Sequence, residues 1–238
     1  MKRSRSTSGF FRIVRLNSAP IPIRAVILDL DGTIADTAIE IGLALNETLA
    51  ESGFAVVSLE AATALIGRGV RSLVERALEE VNAVTDLDRA VERFERHYAR
   101  IVGTRATLFP GVKEGLLALR AAGHRLGVVT NKPRAFTVTL LRNLGVDALF
   151  DVVIAGDDGL RRKPFGDMLT AATHAMGMRT AETLMIGDSD NDVLAARDAG
   201  CAVWCVPYGY NEGRAPESLQ CDRLIGSVLE AARLLADL

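Results

Sequence analysis

From Leu108 to Val206 the chain alternates short β-branched runs with longer stretches of helical periodicity. That order restricts it to a parallel sheet covered by helices on both faces, a doubly wound α/β fold. Pro110-Gly111 opens a helix through Val112, Leu116, Leu117 and Leu119 that stops at Gly123, and Leu126–Val129 follows as a strand. The pattern then repeats, with a helix from Pro133 to Gly145, a strand at Val152–Ala155 and a helix over Gly166–Gly177. A strand at Thr183–Ile186, a helix at Asp190–Ala199 closed by Gly200 and a strand at Ala202–Val206 complete it. Upstream, the apolar run Ala25–Leu28 adds one more strand. Sheets of this kind bind ligands outside the carboxyl ends of their strands, which directs attention to the polar residues just past each run.

Between the first strand and Leu108 the pattern changes to four helical stretches, Thr37–Ser52, Leu59–Ile66, Val70–Val81 and Leu87–Val102. An insertion of that length is too long for a simple crossover, so residues 37–105 are expected to form a small helical cap over a core made of 25–36 and 106–238. Residues 1–24 stand apart as a basic leader, expected to be disordered, carrying Lys2, Arg3, Arg5, Arg12, Arg15 and Arg24 and no acid. With those six set aside, 22 basic residues face 30 acidic ones, a net −8 that argues against a nucleic-acid partner. No apolar run approaches the ~18 residues of a membrane span, and the leader lacks a secretory apolar segment. A cytoplasmic location is expected, an organelle transit leader being the alternative. Cys201, Cys205 and Cys221 lack metal-site spacing and read as reduced thiols, while His97, His124 and His174 sit singly in helical or helix-end contexts.

Directly after the first strand come Asp29-Leu30-Asp31-Gly32-Thr33. In extended chain Asp29 and Asp31 project to one side, and two adjacent carboxylates repel unless a cation relieves them; hard Mg²⁺ favours such oxygen ligands. Three more polar groups follow later strands: Thr130-Asn131, Lys163-Pro164 and Gly187-Asp188, with Asp192 four residues further on. Alone, each is an ordinary turn or helix cap. Together they converge on one rim of the sheet.

These four elements, in this order and over roughly residues 25 to 213, resemble the haloacid dehalogenase superfamily of phosphohydrolases. Gly67-Arg68-Gly69, the helix Leu73–Leu78 that follows, and Tyr208-Gly209-Tyr210-Asn211-Glu212-Gly213 are similar to its phosphoglycolate branch. The resemblance implies a Rossmann-like core with a cap, and a Mg²⁺-dependent phosphatase of small phosphate esters, 2-phosphoglycolate foremost. Another sugar-phosphate phosphatase or a β-phosphoglucomutase of the same superfamily is the alternative. It further implies Asp29 as nucleophile, Asp31 as acid and base, and Lys163, Thr130 and Asn131 on the phosphoryl group. Asp29, the Asp31 carbonyl and Asp188 would hold the metal, with Thr33 supporting the Asp31 loop and Asp192 orienting the metal and lysine. Two positions depart from the family pattern, Gly166 where proline is usual and Arg68 where asparagine is usual. Arg68 is expected to face the site and receive the substrate carboxylate. A phosphoacceptor signalling domain shares the acidic pocket but needs about half this length. A small phosphate-ester substrate, no membrane or nucleic-acid partner, and a monomer or homodimer complete the expectation.

Overall fold

Ala25–Leu28, the first strand β1, is buried along its whole length, which is why it reads as four consecutive apolar residues without alternation. In the computed structural model, which describes residues 22–236, β1 lies at the middle of a six-stranded sheet. It pairs in parallel with β4 (Arg125–Val129) on one side and β6 (Thr183–Gly187) on the other. β5 (Val152–Ile154) flanks β4, and β7 (Ala202–Cys205) and β8 (Arg223–Leu224) follow β6, giving the order β5-β4-β1-β6-β7-β8.

Successive β1 residues feed opposite cores. Val26 and Leu28 pack with Leu116 and Leu119 of helix α5 (Val112–Ala121) and with Val228 and Ala231 of α9 (Val228–Ala236). Ala25 and Ile27 pack on the other face with Met168, Leu169, Val193 and Ala196 of α7 (Asp167–Ala175) and α8 (Asp190–Ala199). The remaining crossover helix, α6 (Arg134–Asn143), buries Phe136, Leu140 and Leu141 in the first cluster. Each helix presents an apolar stripe to the sheet, the doubly wound arrangement expected from the alternation.

The insertion consists of α1 (Ala38–Glu51), α2 (Leu59–Ala64), α3 (Val70–Glu80) and α4 (Leu87–Ala99), matching the four expected stretches within a few residues at each end. It leaves and rejoins the core through an antiparallel ribbon of β2 (Ala35–Asp36) and β3 (Thr107–Leu108). Two-residue strands carry no periodicity, and the ribbon, β8 and α9 were not anticipated. The leader expectation covers residues 1–24, of which 1–21 lie outside those described; Arg24 is bonded on both sides, its N–H to Glu182 O at 2.8 Å and its O to Arg125 N–H at 3.0 Å. His97 is buried rather than at the surface, its two ring nitrogens 2.8 and 2.7 Å from Glu47 and Glu51.

At the return crossing, Glu40 of α1 is 0% exposed and its carboxylate accepts N–H bonds from Gly103 (2.9 Å), Arg105 (2.5 Å) and Ala106 (2.9 Å). One side chain thus terminates three backbone donors of the segment leading into β3. Glu40→Ala is expected to cost about 3 kcal/mol in denaturant unfolding, because the donors lose a charged acceptor without gaining another. A loss below about 1 kcal/mol would mean that water replaces the carboxylate fully.

Candidate active site

Parallel register brings the strand ends level. Leu28 faces Val128 of β4 and Ile186 of β6, so Asp29, Thr130 and Asp188 emerge from three adjacent strands at one rim, and the Asp29 N–H bonds Ile186 O at 3.0 Å. Lys163, from the loop after β5, reaches the same place. Its Nζ lies 2.7 Å from Asp29 Oδ1 and 2.6 Å from Asp192 Oδ1.

Asp192 sits in the first turn of α8 and is fully used. Its second oxygen accepts from Asp188 N–H (3.2 Å), Ser189 N–H (3.1 Å) and Ser189 Oγ (2.8 Å), a carboxylate that caps its own helix while holding Lys163. That fold-back needs glycine at 187, where a Cβ would come 2.3 Å from Asp192 Cγ. Asp188 is cradled in the same way. Thr33 Oγ1 donates to Oδ1 at 2.9 Å and Tyr210 N–H to Oδ2 at 2.8 Å, while a Cβ at Gly32 or Gly209 would lie 2.5 or 2.2 Å from Asp188 atoms. The Thr33 hydroxyl therefore supports Asp188, where support of the Asp31 loop was expected; Gly32 before it adopts φ +87°, open to glycine at no steric cost.

Electrostatically the cluster is short of positive charge. Burial, opposed by Lys163 and reinforced by Asp192 and Asp188, pushes Asp29 up to about 8. Burial and then Asp192 push Asp188 up to about 7. Lys163 stays protonated against its own burial because Asp192 and Asp29 face it. Asp29, Asp188 and Asp192 each offer an oxygen within 4.8 Å of the others. The Lys163 ammonium, 2.7 Å away, is the partner that the buried Asp29 Oδ1 has among the described residues. Three buried carboxylates facing one lysine, one of them cradled by backbone and hydroxyl donors, give an all-oxygen set that fits a hard divalent cation. Asp29 and Asp188 have the donors to spare; Asp192 does not.

Asp31 lies in the same chamber but its carboxylate turns elsewhere. Oδ1 accepts from Thr37 Oγ1 at 2.7 Å, and Lys132 Nζ lies 2.9 and 3.1 Å from its two oxygens. Thr130, Asn131 and Lys132 line the chamber beside Asp29 and Asp31, and Ile41, Ile66, Leu73 and Phe94 of the inserted helices close it with apolar surface. Thr130 is buried, its hydroxyl accepting Lys132 N–H at 3.2 Å. Asn131 spends its amide on Gly67 O (3.0 Å) and Lys163 O (2.9 Å), tying the α2–α3 loop and the Lys163 loop to the strand end.

Arg68 differs most from expectation. Its side chain is 52% exposed and its guanidinium pairs bidentately with Glu212, at 2.5 and 2.7 Å; the pair lines a second cavity with Lys163 and Ser189 rather than the chamber of Asp29 and Asp31. Glu212 comes from the loop after β7, so the pair joins insertion to core across the outer wall of the site. The pair occupies both Glu212 oxygens and leaves Arg68 committed to the loop after β7. Arg68→Ala is therefore expected to change kcat/KM by less than about fivefold, equally for esters with and without a carboxylate; a selective loss on the carboxylated ester would return Arg68 to substrate binding.

Three contributors have no role assigned from sequence. Lys132 belongs to the motif Thr130-Asn131-Lys132-Pro133 and Tyr210 to Tyr208–Gly213, but the sequence does not say what either side chain meets. Tyr98 of α4 lines the chamber from a helix that reads only as amphipathic. Tyr210 sends its hydroxyl to Asp36 Oδ1 (2.9 Å) and accepts from Thr37 and Ala38 N–H (2.7 and 3.0 Å), anchoring the start of α1.

A profile described as haloacid dehalogenase-like hydrolase matches residues 26–206. A phosphoglycolate phosphatase of Nitrosospira multiformis is 44% identical over 220 residues, 91% of this chain and 97% of that one. One from Thiobacillus denitrificans is 42% identical over 224 residues, covering 92% and 99%. Among solved structures, a Haemophilus somnus protein described as a predicted phosphoglycolate phosphatase superposes with a TM-score of 0.83 at 28% identity, over 89% of this chain and 97% of that one. Among the described residues no helix is long and apolar enough to cross a membrane.

Proposed function

This chain belongs to the haloacid dehalogenase-like hydrolases, and we propose that it is a Mg²⁺-dependent phosphatase hydrolysing 2-phosphoglycolate to glycolate and phosphate through an aspartyl-phosphate on Asp29. The observation that carries the reading is the buried Asp29 at the chamber, with the Lys163 ammonium 2.7 Å from its Oδ1 and oxygens of Asp188 and Asp192 within 4.8 Å. The relatives' names, at 44% and 42% identity over nearly their whole length, support the substrate.

In this reading Asp29 attacks phosphorus and displaces the glycolate oxygen, and Asp31 gives that oxygen its proton. Asp31 then takes a proton from water, which attacks the aspartyl-phosphate and restores Asp29. Lys163 and the Thr130 hydroxyl hold phosphoryl oxygens, and Asp192 keeps Lys163 aimed at them. Asn131 holds the two loops that frame the phosphoryl position. Mg²⁺, held by Asp29, Asp188 and the Asp31 carbonyl, would offset the charge of the phosphoryl dianion. The inserted helices act as the cap, their apolar walls excluding water once the ester is bound.

Initial rates over a panel of esters with Mg²⁺ test the assignment. The kcat/KM for 2-phosphoglycolate should exceed that for hexose and pentose phosphates by about tenfold or more. A sugar phosphate turned over equally well would replace the substrate.

A further inference from the structure

With Arg68 engaged by Glu212 and Lys163 by Asp29 and Asp192, a second lysine, Lys132, lines the chamber. We propose that Lys132, the Tyr98 hydroxyl and the open first turn of α3 form the subsite that receives the substrate's carboxylate. The inference rests on the phosphatase reading above and names the groups that select its substrate.

Lys132 is 6% exposed and projects from the turn after β4. Its ammonium has three protons, and Asp31 takes at most two of them. Its Nζ also lies 4.6 Å from the Tyr98 ring centroid, so the cation stands between the acid and the aromatic wall. Tyr98 is 1% exposed, and its hydroxyl, beside the Lys132 ammonium, has no acceptor for its own proton among the described residues. The ring is held in place, stacked on Phe94 at 5.6 Å and edge-on to Phe136 at 5.0 Å, so the hydroxyl has little freedom to seek water. A rigidly held donor without a partner, on the wall of a chamber and beside a cation, is what a bound carboxylate oxygen would satisfy.

The third component comes from the insertion. α3 begins at Val70 behind Gly69, a capping residue with no side chain to cover the first amides, and its first turn carries no acid. Leu73 N–H returns to Gly69 O, but Val70 and Arg71 N–H stand before the first helical acceptor. Gly69 is pressed on the turn that holds Lys132, since a Cβ there would come 3.2 Å from Asn131 O. Gly69 and Val70 both line the chamber. The helix start thus adds amide donors and the positive end of a dipole.

Spacing favours this particular carboxylate. In 2-phosphoglycolate a single methylene separates the ester oxygen from the carboxylate carbon, so its subsite must adjoin the phosphoryl position. Lys132 is two residues beyond Thr130 and in direct contact with Asp31, which meets that demand. The rest of the lining includes Ile41, Ile66 and Leu73, apolar side chains with no partner to offer a sugar's hydroxyls.

The test compares 2-phosphoglycolate with hydroxyethyl phosphate, in which an alcohol replaces the carboxylate, for the unaltered protein, Tyr98→Phe and Lys132→Met. The unaltered protein should prefer phosphoglycolate in kcat/KM by about a hundredfold, and each substitution should reduce that preference about tenfold, through the carboxylated ester. Tyr98→Phe keeps the ring packing, and therefore carries the test even if Lys132→Met does not fold. Titration of phosphoglycolate into Asp29→Asn by calorimetry, with and without Tyr98→Phe, should show the same weakening without turnover. If Lys132 and Tyr98 serve only to position Asp31, both esters lose equally and the preference survives, which overturns the subsite alone. Absence of any preference in the unaltered protein overturns the substrate reading itself.

Discussion

Asp29→Asn is expected to lower kcat for phosphate release by about a thousandfold or more while leaving the circular dichroism spectrum unchanged. The amide keeps the volume of a nearly buried side chain, and Lys163 retains its 2.6 Å contact with Asp192, so the surroundings have no reason to move. What is lost is the nucleophile, because an amide oxygen does not form the acyl phosphate. Colorimetric phosphate assay and far-ultraviolet dichroism on the same preparation check both halves. Activity within about tenfold of the unaltered protein would remove Asp29 from the nucleophile's place.

Removal of divalent cations should have an effect of similar size. Chelation is expected to abolish turnover, Mg²⁺ to restore it, and Ca²⁺ to restore it poorly, since its larger and looser shell misplaces the attacking carboxylate. The glycine cradle makes this specific to the chain. Gly209→Ala puts a methyl group where Asp188 Cβ lies 2.2 Å away, and Gly32→Ala crowds the carboxylate of the same residue. Both substitutions should raise the Mg²⁺ concentration needed for half-maximal rate by about tenfold or more, as should Asp188→Ala. Full activity in excess chelator, or an unchanged Mg²⁺ titration in Gly209→Ala, would contradict the assignment of Asp188.

Much of this was legible because it is local. An all-apolar run such as Ala25–Leu28 announces a strand buried on both faces, and Gly200 closes α8 in the left-handed conformation that only a glycine adopts at no steric cost. Strand-end residues could be grouped because parallel topology levels them before any contact is known. What escaped depends on partners far apart in the chain. Lys132 and Asp31 are 101 residues apart and Arg68 and Glu212 are 144 apart, so neither pairing has a sequence period. Asp29 and Asp31 were placed on one side from strand alternation, and both do line one chamber. Their carboxylates nevertheless reach different lysines, because the chain leaves the extended conformation after Leu28 and Lys132 arrives from β4 rather than from the motif itself. Arg68 invited a role in the chamber on account of its flanking glycines, but those glycines shape the backbone against Asn131, and the side chain pairs with Glu212 in the adjoining cavity.

The central claim is that the phosphoryl group passes through Asp29. Asp31→Asn should slow the water-consuming second step, so that the phosphorylated protein accumulates during turnover of 2-phosphoglycolate. Acid quenching followed by peptide mass analysis then reads the result directly. The account predicts one added phosphoryl group on the peptide containing Asp29, and none in the corresponding Asp29→Asn protein. Turnover with an unmodified Asp29 peptide throughout, or a phosphoryl group carried by a different residue, would contradict it.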